Sequence, residues 1–110
     1  MTLAQFEAQI FAVALDSPVC DIPVVRRLTP TSISLRVEIR PDGFIDVFYN
    51  DQTETTAFAL IRDGKRVFGA DNTGGWHSHP FSDPARHDLL PGPVSFTDFV
   101  AEIEQQVLDE

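Results

Sequence analysis

Apolar residues recur along this chain with two different periods, and the change of period marks out its elements. Over residues 2–15, TLAQFEAQIFAVAL, the residues Leu3, Phe6, Ile10 and Val13 fall at helical spacing, with Phe11 and Ala14 beside them. Pro18 ends that helix, and VCDIPVVRRLTP reads as a connector punctuated by Pro23 and Pro30. The period then drops to two. In TSISLRVEIR, Ile33, Leu35, Val37 and Ile39 point one way and Ser34, Arg36, Glu38 and Arg40 the other, as in a half-buried strand.

Pro41-Asp42-Gly43 turns the chain into FIDVFYN, a strand apolar on both faces except at Asp46. A short loop leads to TAFALI, and Asp63-Gly64 supplies a two-residue hairpin turn into KRVFGAD, because both positions tolerate positive φ. Pro80, Pro84, Pro91 and Pro93 keep the next stretch irregular. Ser95 and Asp98 form a capping pair for a last helix, residues 95–108, with Phe96, Phe99, Val100, Ile103 and Val107 on one face. The order predicts an α+β fold, a four-stranded antiparallel β-meander flanked by N-terminal and C-terminal helices that cover one of its faces. The doubly apolar second strand leaves the other face in need of cover; a homodimer would supply it, and so would the long histidine-bearing loop, the dimer being the expectation.

Composition narrows this reading. The 110 residues are the size of a single domain, and 43% hydrophobic residues with nine phenylalanines suffice to fill its core. The lone Cys20 excludes an internal disulfide framework; it sits among apolar residues, as a buried rather than a nucleophilic thiol. With no apolar run of membrane-spanning length and no basic leader at the N-terminus, the expected location is the cytoplasm, with no membrane partner. The net charge of −9 disfavours sequence-blind binding to nucleic acid, although a local basic strip could still hold a short RNA.

The chemistry-bearing residues are concentrated in DNTGGWHSHPFSDPARHD, residues 71–88, which holds all three histidines and the only tryptophan. In an extended segment His77 and His79 project to the same side, and Pro80 holds His79 extended. That is a two-point grip for Zn²⁺ or a similar ion, with a third ligand from His87, Asp88, Asp71 or Asp83. Without metal, His77 with Asp71 or His87 with Asp88 is an acid–base pair, and Arg62, Lys65 or Arg66 would stabilise an anion. The catalytic candidates are therefore His77, His79, His87 and Asp71, and the candidate metal ligands are His77, His79, His87 and Asp88. Gly74-Gly75 serves a tight turn and lacks the strand-to-helix context of a phosphate loop, and Trp76 reads as a packed lid on its own loop.

From about residue 31 to 107 the chain resembles the TumE-type toxin family, small prokaryotic proteins that form the toxin half of toxin–antitoxin pairs. The likeness is carried by the strand with its Asp42-Gly43 turn, TAFAL, DGKRVFGADNT, the histidine- and proline-rich loop and the acidic amphipathic helix. It implies an antitoxin protein as partner and, in this chain, Asp71, Asn72, His77, His79 and Pro80 as the matching residues, with RNA as the substrate. A smaller set of residues resembles the metal motif of the JAMM/MPN isopeptidases: His77 and His79 in His-x-His-Pro, Ser95 and Asp98 in Ser-x-x-Asp, and Glu38 as the distant glutamate. That likeness implies a metal-binding hydrolase. A non-enzymatic dimeric interaction module is the third class compatible with the pattern.

Overall fold

The computed structural model describes residues 1–109 and is α+β, an antiparallel sheet with a helix before it and a helix after it. Helix α1 (Leu3–Asp16) opens with a reciprocal cap. Thr2 Oγ1 accepts from the Gln5 amide at 3.0 Å and Gln5 Oε1 accepts from the Thr2 amide at 2.8 Å, satisfying two of the donors that a helix start leaves unpaired. Helix α2 (Phe96–Leu108) is capped by Ser95, whose Oγ accepts from the Asp98 amide at 3.0 Å.

Between the helices run β1 (Val24–Leu28), β2 (Ser32–Glu38), β3 (Phe44–Asn50), β4 (Thr56–Arg62), β5 (Lys65–Asp71), β6 (His77–His79) and β7 (Asp88–Leu89). They lie side by side in sequence order, each antiparallel to the last. The sheet thus has seven strands, which corrects the expectation of four. The first extra strand lies in the expected connector. Every residue of β1 is exposed, so it shows no burial alternation, and pairing to β2 alone holds it extended. The other two, β6 and β7, lie in the stretch expected to be irregular. There the prolines fall just outside the paired residues, and three residues of β6 suffice to continue the ladder from β5.

One face of the sheet packs under the helices. Ile33, Leu35 and Val37 of β2, Ile45, Val47 and Tyr49 of β3, Phe58 and Leu60 of β4, and Phe68 and Ala70 of β5 are buried there with Phe6, Ile10, Phe99 and Ile103. Phe6 stacks on Tyr49 at 4.6 Å, and Ser17 Oγ donates to Glu104 at 2.7 Å, tying the end of α1 to α2. The opposite, outer face carries no helix. On it Phe44 lies under the Arg36 guanidinium, 3.9 Å from the ring centroid, and Phe48 is the other aromatic residue that β3 turns to this face. No helix among the described residues is long and apolar enough to cross a membrane.

Two local features set the geometry of the outer face. Ladder pairing of β4 with β5 shifts between Leu60 and Ile61, so Phe68 opposes Leu60 whereas Arg66 opposes Ile61. The surplus residue, Val67, turns Arg66 to the outer face. The Asp42-Gly43 turn needs its glycine: φ is +95°, and an added Cβ would lie 2.6 Å from the Ile61 carbonyl oxygen. Gly43→Ala should therefore cost about 1–3 kcal/mol or more, read as a lower midpoint in urea, whereas Gly92→Ala, with open space around it, should cost well under that.

Candidate metal and acid–base centre

The register of β5 with β6 builds the site. Asp71 opposes His77 and Gly69 opposes His79, so both imidazoles and the carboxylate stand on the outer face, as the spacing of two predicts. The hairpin loop from β6 to β7 then folds back through two tight turns, with the Asp83 amide donating to the Pro80 carbonyl and the Arg86 amide to the Asp83 carbonyl. This return brings His87 to the other two. Ring centroids are 4.3 Å apart for His79 and His87, 5.1 Å for His77 and His87, and 5.2 Å for His77 and His79.

Asp71 holds two of the rings. Its Oδ1 lies 3.2 Å from His77 Nε2 and its Oδ2 lies 3.4 Å from His79 Nε2, while Oδ1 also accepts from the Thr73 amide at 3.0 Å. The two histidines differ at their second nitrogen. His77 Nδ1 lies 3.0 Å from the Gly75 carbonyl, so both nitrogens of His77 face acceptors. His79 Nδ1 is buried and has no hydrogen-bond partner. With Nε2–H donated to Asp71, that nitrogen carries a free lone pair.

The environment keeps His79 neutral. Only 2% of it is exposed, and burial lowers its pKa below the ordinary imidazole value. The charges of Arg66 and His87 lower it further, against the opposing hydrogen bond that His79 donates to Asp71. Gly69 makes room for the ring: a Cβ there would lie 3.4 Å from His79 Cδ2 and 3.2 Å from Arg66 Cδ. Nothing in the sequence pattern marks Gly69 for this role, because its significance depends on which residue lies across the ladder.

One nitrogen from each histidine lies within 4.8 Å of the others. A tetrahedral zinc site with 2.0–2.1 Å bonds sets its nitrogens about 3.3 Å apart, so the three rings are gathered within an ångström or two of a ligating arrangement. His87 is exposed and free to close that gap, whereas His79 is fixed by its packing. Asp88, the fourth metal candidate, is not part of the cluster. Its carboxylate takes two hydrogen bonds from Arg86, at 2.8 and 2.9 Å, and among the described residues no hydrogen bond or ion pair joins it to His87. Asp88's pKa is lowered by that hydrogen bonding.

The remaining candidates lie elsewhere. Arg66 stands beside the cluster and donates to the Pro84 carbonyl at 3.3 Å, while Arg62 faces Asp42 at 3.5 Å. Asp83 is exposed on the loop. Asn72 has a structural role: its side chain accepts from the Thr56 amide and donates to the Glu54 carbonyl, both at 2.8 Å, closing the end of the sheet. Ser95 and Asp98 stand at the start of α2, on the helix-covered side, and Glu38 ends β2, four strands from β6. Trp76 packs half-buried against the core, and burial raises the pKa of the Cys20 thiol, as expected for a lid and for an inert cysteine. No protein-family model, curated protein or solved structure matches this chain.

Proposed function

We propose that His77, His79 and His87 form a divalent-cation centre, zinc being the ion the all-imidazole donor set suits best, and that it serves hydrolytic chemistry at the outer face of the sheet. The observation that carries this reading is the buried, unpartnered Nδ1 of His79. An orphaned buried acceptor costs about 1–3 kcal/mol, and a cation at that lone pair would remove the penalty. Asp71 then acts as the carboxylate behind His79, fixing its ring orientation and tautomer through Nε2, while His77 must release either Asp71 or the Gly75 carbonyl to become a ligand. A bound ion would supply Lewis acidity toward a carbonyl or phosphoryl oxygen. Arg66, beside His79, would face an anion held there.

A second reading has its own observation. His77 faces acceptors on both nitrogens, next to a His79 whose Nδ1 lone pair is free. A proton donor beside a proton acceptor is the pairing that metal-free acid–base catalysis requires. Thermal-shift titration with Zn²⁺, Ni²⁺ and Mn²⁺ separates the two. The metal reading expects a melting temperature that climbs with the logarithm of free ion. It also expects that response to be largely lost in His79→Ala, His77→Ala and the exposed-site variant His87→Ala, and kept in Trp76→Phe. Were no ion to shift the wild type, the acid–base reading would stand in its place.

A further inference from the structure

The outer face of β2, β3 and β4 sinks into a cleft of about 350 Å³, within the size range of small-molecule sites. Neighbouring strands set its lining residue by residue. Arg36 stands directly opposite Asp46, and Asp46 opposite Ala59; beside them Ser34 stands opposite Phe48, and Phe48 opposite Ala57. Arg26 lines the same cleft from β1, the edge strand. The methyl groups of Ala57 and Ala59 keep the floor low, while Phe48 and the charged side chains rise around it. On the histidine side the cleft is closed. Arg66 lies over Gly69, its Cδ 3.2 Å from where a Cβ would stand, and it reaches the Pro84 carbonyl at 3.3 Å. The cleft is therefore a site apart from the histidine centre.

We infer that this cleft binds a free α-amino acid with an aromatic side chain. Its carboxylate lies at Arg26 and Arg36, its ammonium at Asp46, and its ring over Ala57 and Ala59 against Phe48. The site stands independently of the metal reading. Unmet polar groups give the first argument. Arg36 Nε is buried without a hydrogen-bond partner, and the Asp46 Oδ1 that faces it is 3.9 Å away, beyond hydrogen-bond reach. Arg26 is exposed, and its guanidinium has no ion pair or hydrogen bond among the described residues. A ligand carboxylate would supply an acceptor to both. The arrangement of charge gives the second. A simple anion would meet Asp46 with like charge, and a simple cation would meet two arginines. A peptide holds its terminal charges at opposite ends, whereas a free amino acid holds both on one carbon, as the neighbouring Arg36 and Asp46 require. The apolar part gives the third. Phe48 is half-buried between Ser34 and Ala57, and these small neighbours leave its ring open to an aromatic partner. Arg36 is also held in advance, its guanidinium 3.9 Å from the Phe44 ring centroid, so little ordering remains for the ligand to impose.

Isothermal titration calorimetry with L-phenylalanine as the probe, on protein stripped of metal by chelation, tests the site. Three analogues each lack one feature: phenylpropanoate the ammonium, phenylethylamine the carboxylate and L-alanine the ring. L-Phenylalanine should bind saturably, and each analogue should bind about tenfold or more weakly. The exposed-site variant Arg26→Ala should weaken amino-acid binding about fivefold or more. Asp46→Asn should remove the preference for L-phenylalanine over phenylpropanoate, which a merely structural role of Asp46 would leave in place. Ala59→Leu fills the floor and keeps every charge, so it should abolish binding while the circular dichroism spectrum is unchanged. No saturation up to about 10 mM ligand would overturn the inference. So would equal affinity for phenylpropanoate, or wild-type binding by Asp46→Asn or Ala59→Leu. A dimer in sedimentation that Phe48→Arg abolishes would overturn it as well, since that result gives the face to a second copy. Because the titration is read without metal, the two readings fail separately. Amino-acid binding without zinc stabilisation removes the metal centre alone, and zinc stabilisation without amino-acid binding removes this site alone.

Discussion

Phe99→Ala should lower the free energy of unfolding by about 3–5 kcal/mol, a large share of the 5–15 kcal/mol typical of a domain this size. Phe99 is 1% exposed and lies where the second helix meets the sheet. Its ring is 5.3 Å from that of Phe58 and stacks at 4.7 Å on that of Phe68. Truncation removes both aromatic contacts and leaves a cavity that the strands beneath, pinned by their ladders, cannot close. Urea melts of the wild type and variant measure the loss as a shift in midpoint at nearly unchanged slope. A loss below about 1 kcal/mol would mean that α2 does not hold the position described.

The second large effect is on the histidine centre and depends on pH. Near pH 8, zinc at about one hundred times its dissociation constant should add about 2.7 kcal/mol of stability. That increment should disappear below about pH 6, where imidazoles take up protons and cease to be ligands. The metal-free protein should respond to acid in the same direction. The folded pKa of His79 lies below its unfolded value, chiefly because of burial. As pH falls through about 6.5 the unfolded chain therefore binds a proton that the folded chain refuses. The stabilisation is fully present above the unfolded pKa and is lost as pH falls toward the folded one. Melts in the presence of a chelator should show stability dropping across that window, and His79→Gln should flatten the drop. A metal-free protein that grew more stable on acidification would show instead that His79 is charged and paired with Asp71.

The helices, the three hairpins of the central meander and the inward face of β2 were legible because each rests on a local pattern. Asp63 and Gly64 do take positive φ, at 53° and 72°. The edge strands were not legible. Val24, Val25, Arg26, Arg27 and Leu28 are exposed on both sides, so no alternation identifies a strand that pairing to β2 alone defines. At the site, the shared face of His77 and His79 follows from parity, and Asp71 was named for its proximity in sequence. The approach of His87 was open among several alternatives, because it depends on the path of a proline-rich loop. Asp88 was read as a ligand when the arginine two residues before it was the nearer claimant. Arg66 reached the cluster only through the surplus Val67, which strict alternation does not foresee.

The order of the strands bears on how the chain assembles. Every strand is hydrogen-bonded only to its neighbours in sequence, so the whole ladder can zip from short-range turns with little loop-closure entropy at each step. The two helices are the exception. They meet across all seven strands, and the Ser17–Glu104 contact joins residues 87 positions apart. A chain interrupted before Phe96 has the sequence for every strand and every histidine, yet the floor of Phe58 and Phe68 lies bare where α2 belongs. A chain that has its strands but not α2 would expose that aromatic floor, an aggregation-prone surface that lasts until the helix docks.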